Sequence, residues 1–338
     1  MNILLIGGTG TLSKAVRDEL LNHTNHSLTV LHRGHRPLPI HERLIELKAD
    51  IHDPNLSEIL KDRYYDVVIH FVLFHPDEVK PMVDLFTNRC GQFVFISTVA
   101  TLNHEREFMI SESTPRGNHQ SQYGQHKAAA EERFLAYPNF PVTIIRPAQT
   151  YSDDRIPLSI KPKHCWPVIE RMLKNKPVLI HGDGQSLWAS MHATDFAKAL
   201  VSLLDHPETV GEIIHIQNPH PHRWIDVYTH LAKLLQVELN PIFISSISLA
   251  NASEYNLQEA IVGDKMYSNL YDISKLKKFN PDFEPTIDVY QGLELYLEYM
   301  DTHPELKLSD PHFDRWCDQI VDLTAQFNQS LSQLKTDD

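Results

Sequence analysis

The segment that most constrains this chain is its first two dozen residues. Residues 2–6 (NILLI) form an apolar run that stops at GGTGTLS, Gly7 to Ser13. From there Leu12, Val16 and Leu20 recur every four residues up to Asn22, the spacing of one face of a helix. A buried strand, a tight glycine turn and a helix in that order leave few folds open. Glycines in such a turn let the backbone approach a pyrophosphate, and the helix N-terminus adds free amides and the positive end of its dipole. Gly7 and Gly10 fill the first two places of a GxxGxxG pattern. Ser13 stands in the third, where a small side chain still allows close helix–strand packing.

The same alternation continues. Strands are expected at 27–32 (SLTVLH), 44–49 (LIELKA), 66–74 (DVVIHFVLF), 92–98 (QFVFIST) and 141–147 (PVTIIRP). Helices are expected over 54–61, 79–86 and 122–137. Strands alternating with helices imply an α/β protein built on a parallel sheet covered on both faces. Ligands then bind beyond the carboxyl ends of the strands, where the strand order reverses. After residue 150 the pattern loosens. A loop over 151–165, a helix over 166–174 and a strand over 177–184 precede a helix over 194–204 capped by Thr194 or Asp195. A strand over 212–218 and a helix near 225–235 follow. Near the end, Phe313, Trp316, Ile320, Leu323, Phe327, Leu331 and Leu334 alternate spacings of three and four. Such a stripe docks on the body of a protein or forms a coiled-coil seam, and docking is the preferred reading.

Composition narrows the function classes. Thirty-one Lys and Arg against 44 Asp and Glu give a net charge of −13, which opposes charge-driven nucleic-acid binding. No apolar run approaches the roughly 18 residues of a membrane span. The chain enters a strand at once, without a basic leader or cleavage site, so a cytoplasmic protein is expected. Three isolated cysteines, Cys90, Cys165 and Cys317, fit a reducing compartment. Histidine is abundant, at 21 residues, but no pair has metal-ligand spacing, so no metal is expected.

Three further motifs carry chemistry. LHRGHR (31–36) ends the second strand with His32, Arg33, His35 and Arg36 where an acid for a ribose 2′-hydroxyl would stand. Arg33 can clasp a 2′-phosphate with several donors, which favours NADP and leaves NAD possible. Asp50, ending the third strand, is placed to meet an adenine edge. In YGQHK, Tyr123 and Lys127 are four apart and share a helix face. A nearby ammonium should lower the tyrosine pKa, so that Tyr123 can exchange a proton with a substrate oxygen. Thr98, with Ser97 beside it, ends the FVFIST strand and can hold that oxygen.

GGTGTLS, the VLHRG strand end, FIST, YGQHK and IIRP, in this order, resemble the extended short-chain dehydrogenase/reductases. HGDGQSLWASMHATDFAKAL (181–200) and GDKMYSNLYDISKLKKFNPDF (263–283) resemble the second half of that family, and the likeness covers about residues 1–300. It is nearest to the NAD-dependent epimerase/dehydratase group, in its divergent branch that includes chloroplast stem-loop-binding-like proteins. The resemblance implies a Rossmann-type doubly wound parallel sheet with a smaller C-terminal substrate-binding lobe. Residues 1–150, completed by about 177–218, would form the NAD(P)-binding domain. Residues 151–176 and 219–300 would form the lobe, and 301–338 a helical extension.

The resemblance also implies roles. Thr98, Tyr123, Lys127 and Ser97 are the catalytic set, with Lys127 holding the nicotinamide ribose. Gly7, Thr9, Gly10, Thr11, Leu12, Arg33, Asp50, Ile51 and Phe71 would contact the cofactor, with Pro147 and Ala148 on its nicotinamide side. Gln149, Tyr151, Arg155, Trp188 and His192 are the candidate substrate contacts. The 4,6-dehydratases carry Asp-Glu directly after the threonine; Val99 and Ala100 follow it here and cannot supply the acid and base of dehydration. The expected activity is oxidoreduction or epimerisation of a hydroxyl- or carbonyl-bearing small molecule, a nucleotide sugar foremost. A homodimer is possible, and neither nucleic acid nor membrane is expected as a partner. The alternative is a non-catalytic cofactor sensor or RNA-binding protein.

Overall fold

A computed structural model describes residues 1–61, 63–105, 107–161, 163–253 and 255–334. The last four residues of the expected C-terminal extension therefore lie outside the described residues. The chain divides into two compact units. The first comprises residues 1–150, 189–220 and 269–287, and the second 151–188, 221–268 and 288–338.

The first unit holds seven parallel strands: β1 (Asn2–Ile6), β2 (Ser27–His32), β3 (Leu44–Lys48), β4 (Tyr65–His70), β5 (Cys90–Ile96), β6 (Val142–Pro147) and β7 (Ile213–Ile216). Their order is β7-β6-β5-β4-β1-β2-β3, so the winding reverses between β1 and β4. Strict alternation on β1 shows why both faces must be covered: Ile3 and Leu5 enter one apolar cluster, Leu4 and Ile6 another. Helices α1 (Thr11–His23) and α4 (Ala193–Ser202) close the first face with Val16, Leu20, Phe196 and Leu200. Helices α2 (Val79–Phe86) and α3 (Gln122–Leu135) close the second with Val83, Phe86, Ala130 and Phe134. All these apolar side chains are nearly or wholly buried.

Strand β4 is shorter than its apolar pattern suggests. It ends at His70, and residues 71–74 leave the sheet. Hydrophobicity alone cannot separate a strand from the apolar lip of a ligand cleft, which is what Val72 and Phe74 become. The cap of α4 is neither Thr194 nor Asp195. His192 caps it, its ring accepting the Thr194 N–H at 3.3 Å. Asp195 is buried and accepts instead from the Thr286 and Ile287 amides, both at 2.9 Å, and from the Thr286 hydroxyl at 2.7 Å. Those bonds tie residues 286–287 back to the first unit.

In the second unit the strand Val178–His181 pairs in parallel with Pro241–Ile244. It does not complete the large sheet, as the sequence reading has it. The unit's core gathers Ile169, Met172, Tyr228, Leu231, Leu293 and Tyr296, and the helix Pro311–Ser332 packs onto it through Phe313 and Cys317. Buried Arg171 bonds Asp314 and Asp318 of that helix, and Lys176 adds 2.6 and 2.8 Å bonds to the same two carboxylates. Only the first half of the apolar stripe docks. Leu323, Phe327, Leu331 and Leu334 are exposed. Among the described residues no helix is long and apolar enough to cross a membrane.

Candidate active site

The glycine turn sits at the carboxyl end of β1, beside the point where the strand order reverses. Gly8 has φ +90°, and a Cβ there would lie 2.4 Å from Val30 Cγ1, so only glycine lets the turn pass this close to β2. Gly10 caps α1, and Ser13 closes the turn: its hydroxyl accepts the Gly10 N–H at 3.0 Å and donates to the Gly10 carbonyl. Thr11 and Leu12 open α1, half-buried. Two arginines that the sequence reading did not single out for it brace this turn. Arg17 donates to the Gly8 carbonyl at 3.1 Å, and Arg36 to the Thr9 carbonyl at 3.2 Å.

Next to the turn lies a cleft of about 270 Å³, lined by Gly7, Thr9, Arg33, His35, Asp50 and Ile51 among others. The expected cofactor contacts Gly7, Thr9, Arg33, Asp50 and Ile51 thus come together. His32 also lines the wall, as do Val72, Phe74 and Glu78, which the sequence did not single out as cofactor contacts. His32 is buried and bonded to Glu46 Oε1 at 2.8 Å, so its ring is held as part of the wall. Phe71 is placed differently from its expectation. It packs into the apolar cluster beneath α1, while Val72 and Phe74 face the cleft. The chain has left the sheet here, so its side chains no longer follow the strand pattern that the sequence suggested.

The second set of groups lies at the end of β5 and on α3. Ser121 caps α3 by accepting the Gly124 N–H at 2.9 Å. A Cβ on Gly124 would come within 2.0 Å of the Ala100 carbonyl, so the second residue of YGQHK lets the first turn of α3 lie directly on the 99–101 turn. This close approach brings Tyr123 beside Thr98, whose hydroxyl favours the phenolate form. Thr98 is itself fixed, its hydroxyl oxygen accepting the Ala100 N–H at 3.2 Å.

Lys127 is 1% exposed and donates to the Leu73 and Ile96 carbonyls at 2.6 and 2.7 Å. Its ammonium lies 5.8 Å from the Tyr123 ring centre, with Phe74 and Phe95 at 5.0 and 4.7 Å. Burial brings its pKa down to about 7, against the pull of Glu78 and Glu131. Tyr123 keeps part of its ring exposed, but burial raises its pKa to about 12, and the nearby Thr98 hydroxyl offsets this only in part. The expected lowering by Lys127 is absent from this state. Desolvation outweighs an ammonium that is itself half-titrated at neutral pH and shared with two carbonyls.

Ser97 is corrected. Its hydroxyl is buried and donates to Glu131 Oε1 at 2.6 Å, away from Thr98 and Tyr123. Glu131, on α3, also accepts from Arg146 Nε at 2.8 Å, Arg146 NH2 at 2.6 Å and Arg116 Nε at 2.8 Å. Neither Glu131 nor the two arginines stood out in the sequence, because partners 15 residues apart have no local spacing signal. At the end of β6, Pro147 is buried, and the Ala148 N–H donates to Gln217 Oε1 at 2.9 Å.

The expected substrate contacts are divided. Gln149 opens the short strand Gln149–Tyr151 and is half-buried. His192 is spent as the cap of α4. Tyr151 is wholly buried in the second unit, its hydroxyl donating to the Asp288 carbonyl at 2.8 Å and its ring against Gly292. Trp188 is also wholly buried, stacked 6.1 Å from Trp224. Both are packing residues, and their polar ends gave the sequence a misleading hint of a ligand platform. Arg155 alone keeps a ligand-like character. It is half-buried, its Nε has no partner among the described residues, and burial lowers its pKa.

A glycine turn and helix N-terminus beside a cleft, with a Thr–Tyr–Lys set at the neighbouring strand end, define a dinucleotide-binding α/β protein. The model of the NAD dependent epimerase/dehydratase family matches residues 3–216, and the chain belongs to this family. It is 22% identical over 292 residues to the 2′-dehydrokanamycin reductase of Streptomyces kanamyceticus, covering 84% of this chain and 80% of that one. It is 23% identical over 341 residues to a trifunctional UDP-glucose 4,6-dehydratase, UDP-4-keto-6-deoxy-D-glucose 3,5-epimerase and UDP-4-keto-L-rhamnose-reductase of Arabidopsis thaliana. That match covers 90% of this chain and 48% of the plant protein, so the chain spans about half its length. Among solved structures, the UDP-glucuronic acid 4-epimerase of Bacillus cereus in complex with NAD superposes with a TM-score of 0.70 at 20% identity. The superposition covers 89% of this chain and 99% of that one.

Proposed function

We propose that this chain is an NAD(P)-dependent oxidoreductase or epimerase acting on a hydroxyl- or carbonyl-bearing small molecule, with nucleotide sugars the leading class. The observation that carries the reading is Tyr123 and Lys127 on one helix, the ammonium 5.8 Å from the tyrosine ring centre, with Thr98 at the neighbouring strand end. Sugar-nucleotide activities in the relatives' names set the substrate class.

The cleft fits the adenosine end of a dinucleotide. Gly8 leaves no room for a side chain, the α1 N-terminus offers amides for the pyrophosphate, and Asp50, on the cleft wall, is the proposed contact for the adenine edge. Arg33 and His35 line the same wall, which supports NADP over NAD. When bound, the nicotinamide supplies or accepts a hydride. The protein's own part is proton transfer and orientation. Tyr123 holds its proton at neutral pH and can donate it to a substrate carbonyl oxygen. Thr98 orients that oxygen through its hydroxyl, which the Ala100 N–H holds in place. Running in reverse requires the phenolate, which a neighbouring ammonium stabilises.

Dehydration is not part of this reading. Val99 is buried in an apolar cluster with Leu102 and Ile110, and Ala100 has no titratable group. RNA binding is disfavoured by the net charge of −13. The three buried free cysteines support a cytoplasmic setting. Mass in solution decides whether two copies associate. In the second unit, Arg155 is the proposed anion ligand for substrate, and Arg155→Gln should raise KM about tenfold with kcat little changed.

The test is titration of the purified chain with NADPH and NADH, followed by nicotinamide fluorescence. Binding of both with NADPH tighter is expected. Equal affinities would overturn the role of Arg33, and binding of neither would overturn the reading as a whole.

A further inference from the structure

We propose that Glu131 is a positioning residue for the Thr98–Tyr123–Lys127 set, its one carboxylate clamping helix α3 to the ends of β5 and β6. The inference rests on the proposed reading of Tyr123 as the proton-transfer group.

Glu131 is fully buried and follows Lys127 on α3 by about one helical turn and Tyr123 by about two. Its two oxygens accept four bonds from three different segments. Ser97 Oγ, one residue before Thr98, donates at 2.6 Å. Arg146 of β6 donates twice, at 2.8 and 2.6 Å, one residue before Pro147. Arg116, from the segment leading into α3, donates at 2.8 Å. A carboxylate has about four lone-pair sites, so this one is saturated.

The arrangement is costly as a source of stability. Arg146 is 1% exposed and Glu131 not at all, and a buried ion pair seldom outperforms apolar packing of the same volume. It is, however, well suited to fixing geometry. A bidentate guanidinium–carboxylate pair has one preferred orientation, and the Ser97 bond ties the backbone next to Thr98 to the helix that carries Tyr123. Rotation or sliding of α3 would break several of these bonds together. Gly124, against the Ala100 carbonyl, sets how near α3 comes; Glu131 sets its rotation and register.

The clamp also bears on Lys127. Facing that ammonium are Glu78 from the turn before α2, His70 from β4, and Tyr123 and Glu131 from its own helix. Arg116 and Arg146 stand behind Glu131. With Glu131→Gln, one of the two carboxylates that oppose the effect of burial is gone and both arginines lose their counter-charge. Lys127 then loses its proton at lower pH.

The experiment compares wild type with Glu131→Gln, Ser97→Ala and Lys127→Met in the full chain. It reads NADPH affinity against pH by fluorescence, and turnover of UDP-glucose as probe wherever wild type turns it over. The informative part of the pH profile is the inflection that Lys127→Met removes. Glu131→Gln should move this inflection toward acid by about one unit. It should also lower kcat roughly 100-fold with KM changed less than about threefold, as expected for an ångström-scale displacement. Ser97→Ala, which removes a single hydroxyl, should lower kcat about tenfold and leave the fold intact. An unmoved inflection in Glu131→Gln, or melting temperatures that fall while kcat and the profile stay at wild type, would overturn the proposal. If Glu131→Gln does not fold, Ser97→Ala decides: wild-type turnover in that variant, or, where no probe turns over, a wild-type position of the Lys127 inflection in NADPH affinity against pH, overturns it. The parent reading fails differently, through absent cofactor binding or undiminished turnover in Tyr123→Phe.

Discussion

Two regions of the first unit face the same strand ends and are built in opposite ways. The cleft beside the glycine turn is open, and its polar side chains Arg33 and His35 are exposed. The region around Lys127 and Glu131 is closed, with both charges buried, Lys127 bonded to two backbone carbonyls and Glu131 to the buried Ser97 and Arg146. The open region suits recognition, in which donors wait in water for a ligand and cost little when unused. The closed region suits proton transfer, in which pKa values and distances must be set before the ligand arrives. Burial in the closed region brings Lys127 to about 7 and Tyr123 to about 12.

The contrast can be broken by variants on either side. The largest effect is expected from Tyr123→Phe, with kcat/KM falling about 10²–10⁴-fold and NADPH affinity unchanged; a parallel loss of affinity would mean that the two regions are not separable. Gly124→Ala comes next. Its Cβ would meet the Ala100 carbonyl at 2.0 Å, so the helix must shift, at a cost of about 1–3 kcal/mol in denaturant melts and with most turnover lost. Arg33→Ser tests the open side. NADPH should weaken about tenfold, equivalent to about 1.4 kcal/mol, while NADH stays put and melting is unaltered.

The smallest effect concerns acid. His70 is wholly buried at the end of β4, and burial lowers its pKa to about 3, with Lys127 as a second cause. Unfolding exposes an imidazole of pKa about 6.5. Between these values the unfolded chain binds the extra proton, so stability is fully present above pH 6.5 and is lost as pH falls toward 3. His215 of β7 is shifted in the same direction by burial. Melting temperature should therefore drop between pH 7 and pH 5, and less steeply in His70→Asn. An identical slope in that variant would assign the acid sensitivity elsewhere.

Much of the first unit was legible because its signals are local. The glycine turn, the strand–helix alternation and the Tyr123–Lys127 spacing each lie within a few residues, and the parallel sheet follows from them. Arg33, Asp50 and Ile51 could be placed at one cleft because strand ends converge where the order reverses. The second unit gave less. Val178–His181 reads as an apolar strand wherever it pairs, and nothing local distinguishes the large sheet from a two-stranded one.

By itself, then, the sequence determined which backbone segments form the cleft beside the glycine turn and which helix face carries the tyrosine and lysine. Both depend on short-range sterics and periodicity. Tertiary structure alone decided what happens to side chains with two possible uses. Ser97 turned to a buried carboxylate, Tyr151 and Trp188 to packing, and His192 to a helix end. Glu131 became the meeting point of Ser97, Arg116 and Arg146. The physical reason is desolvation: a polar group enclosed by the fold must find a partner there, and which partner is near depends on elements that arrive from distant parts of the chain.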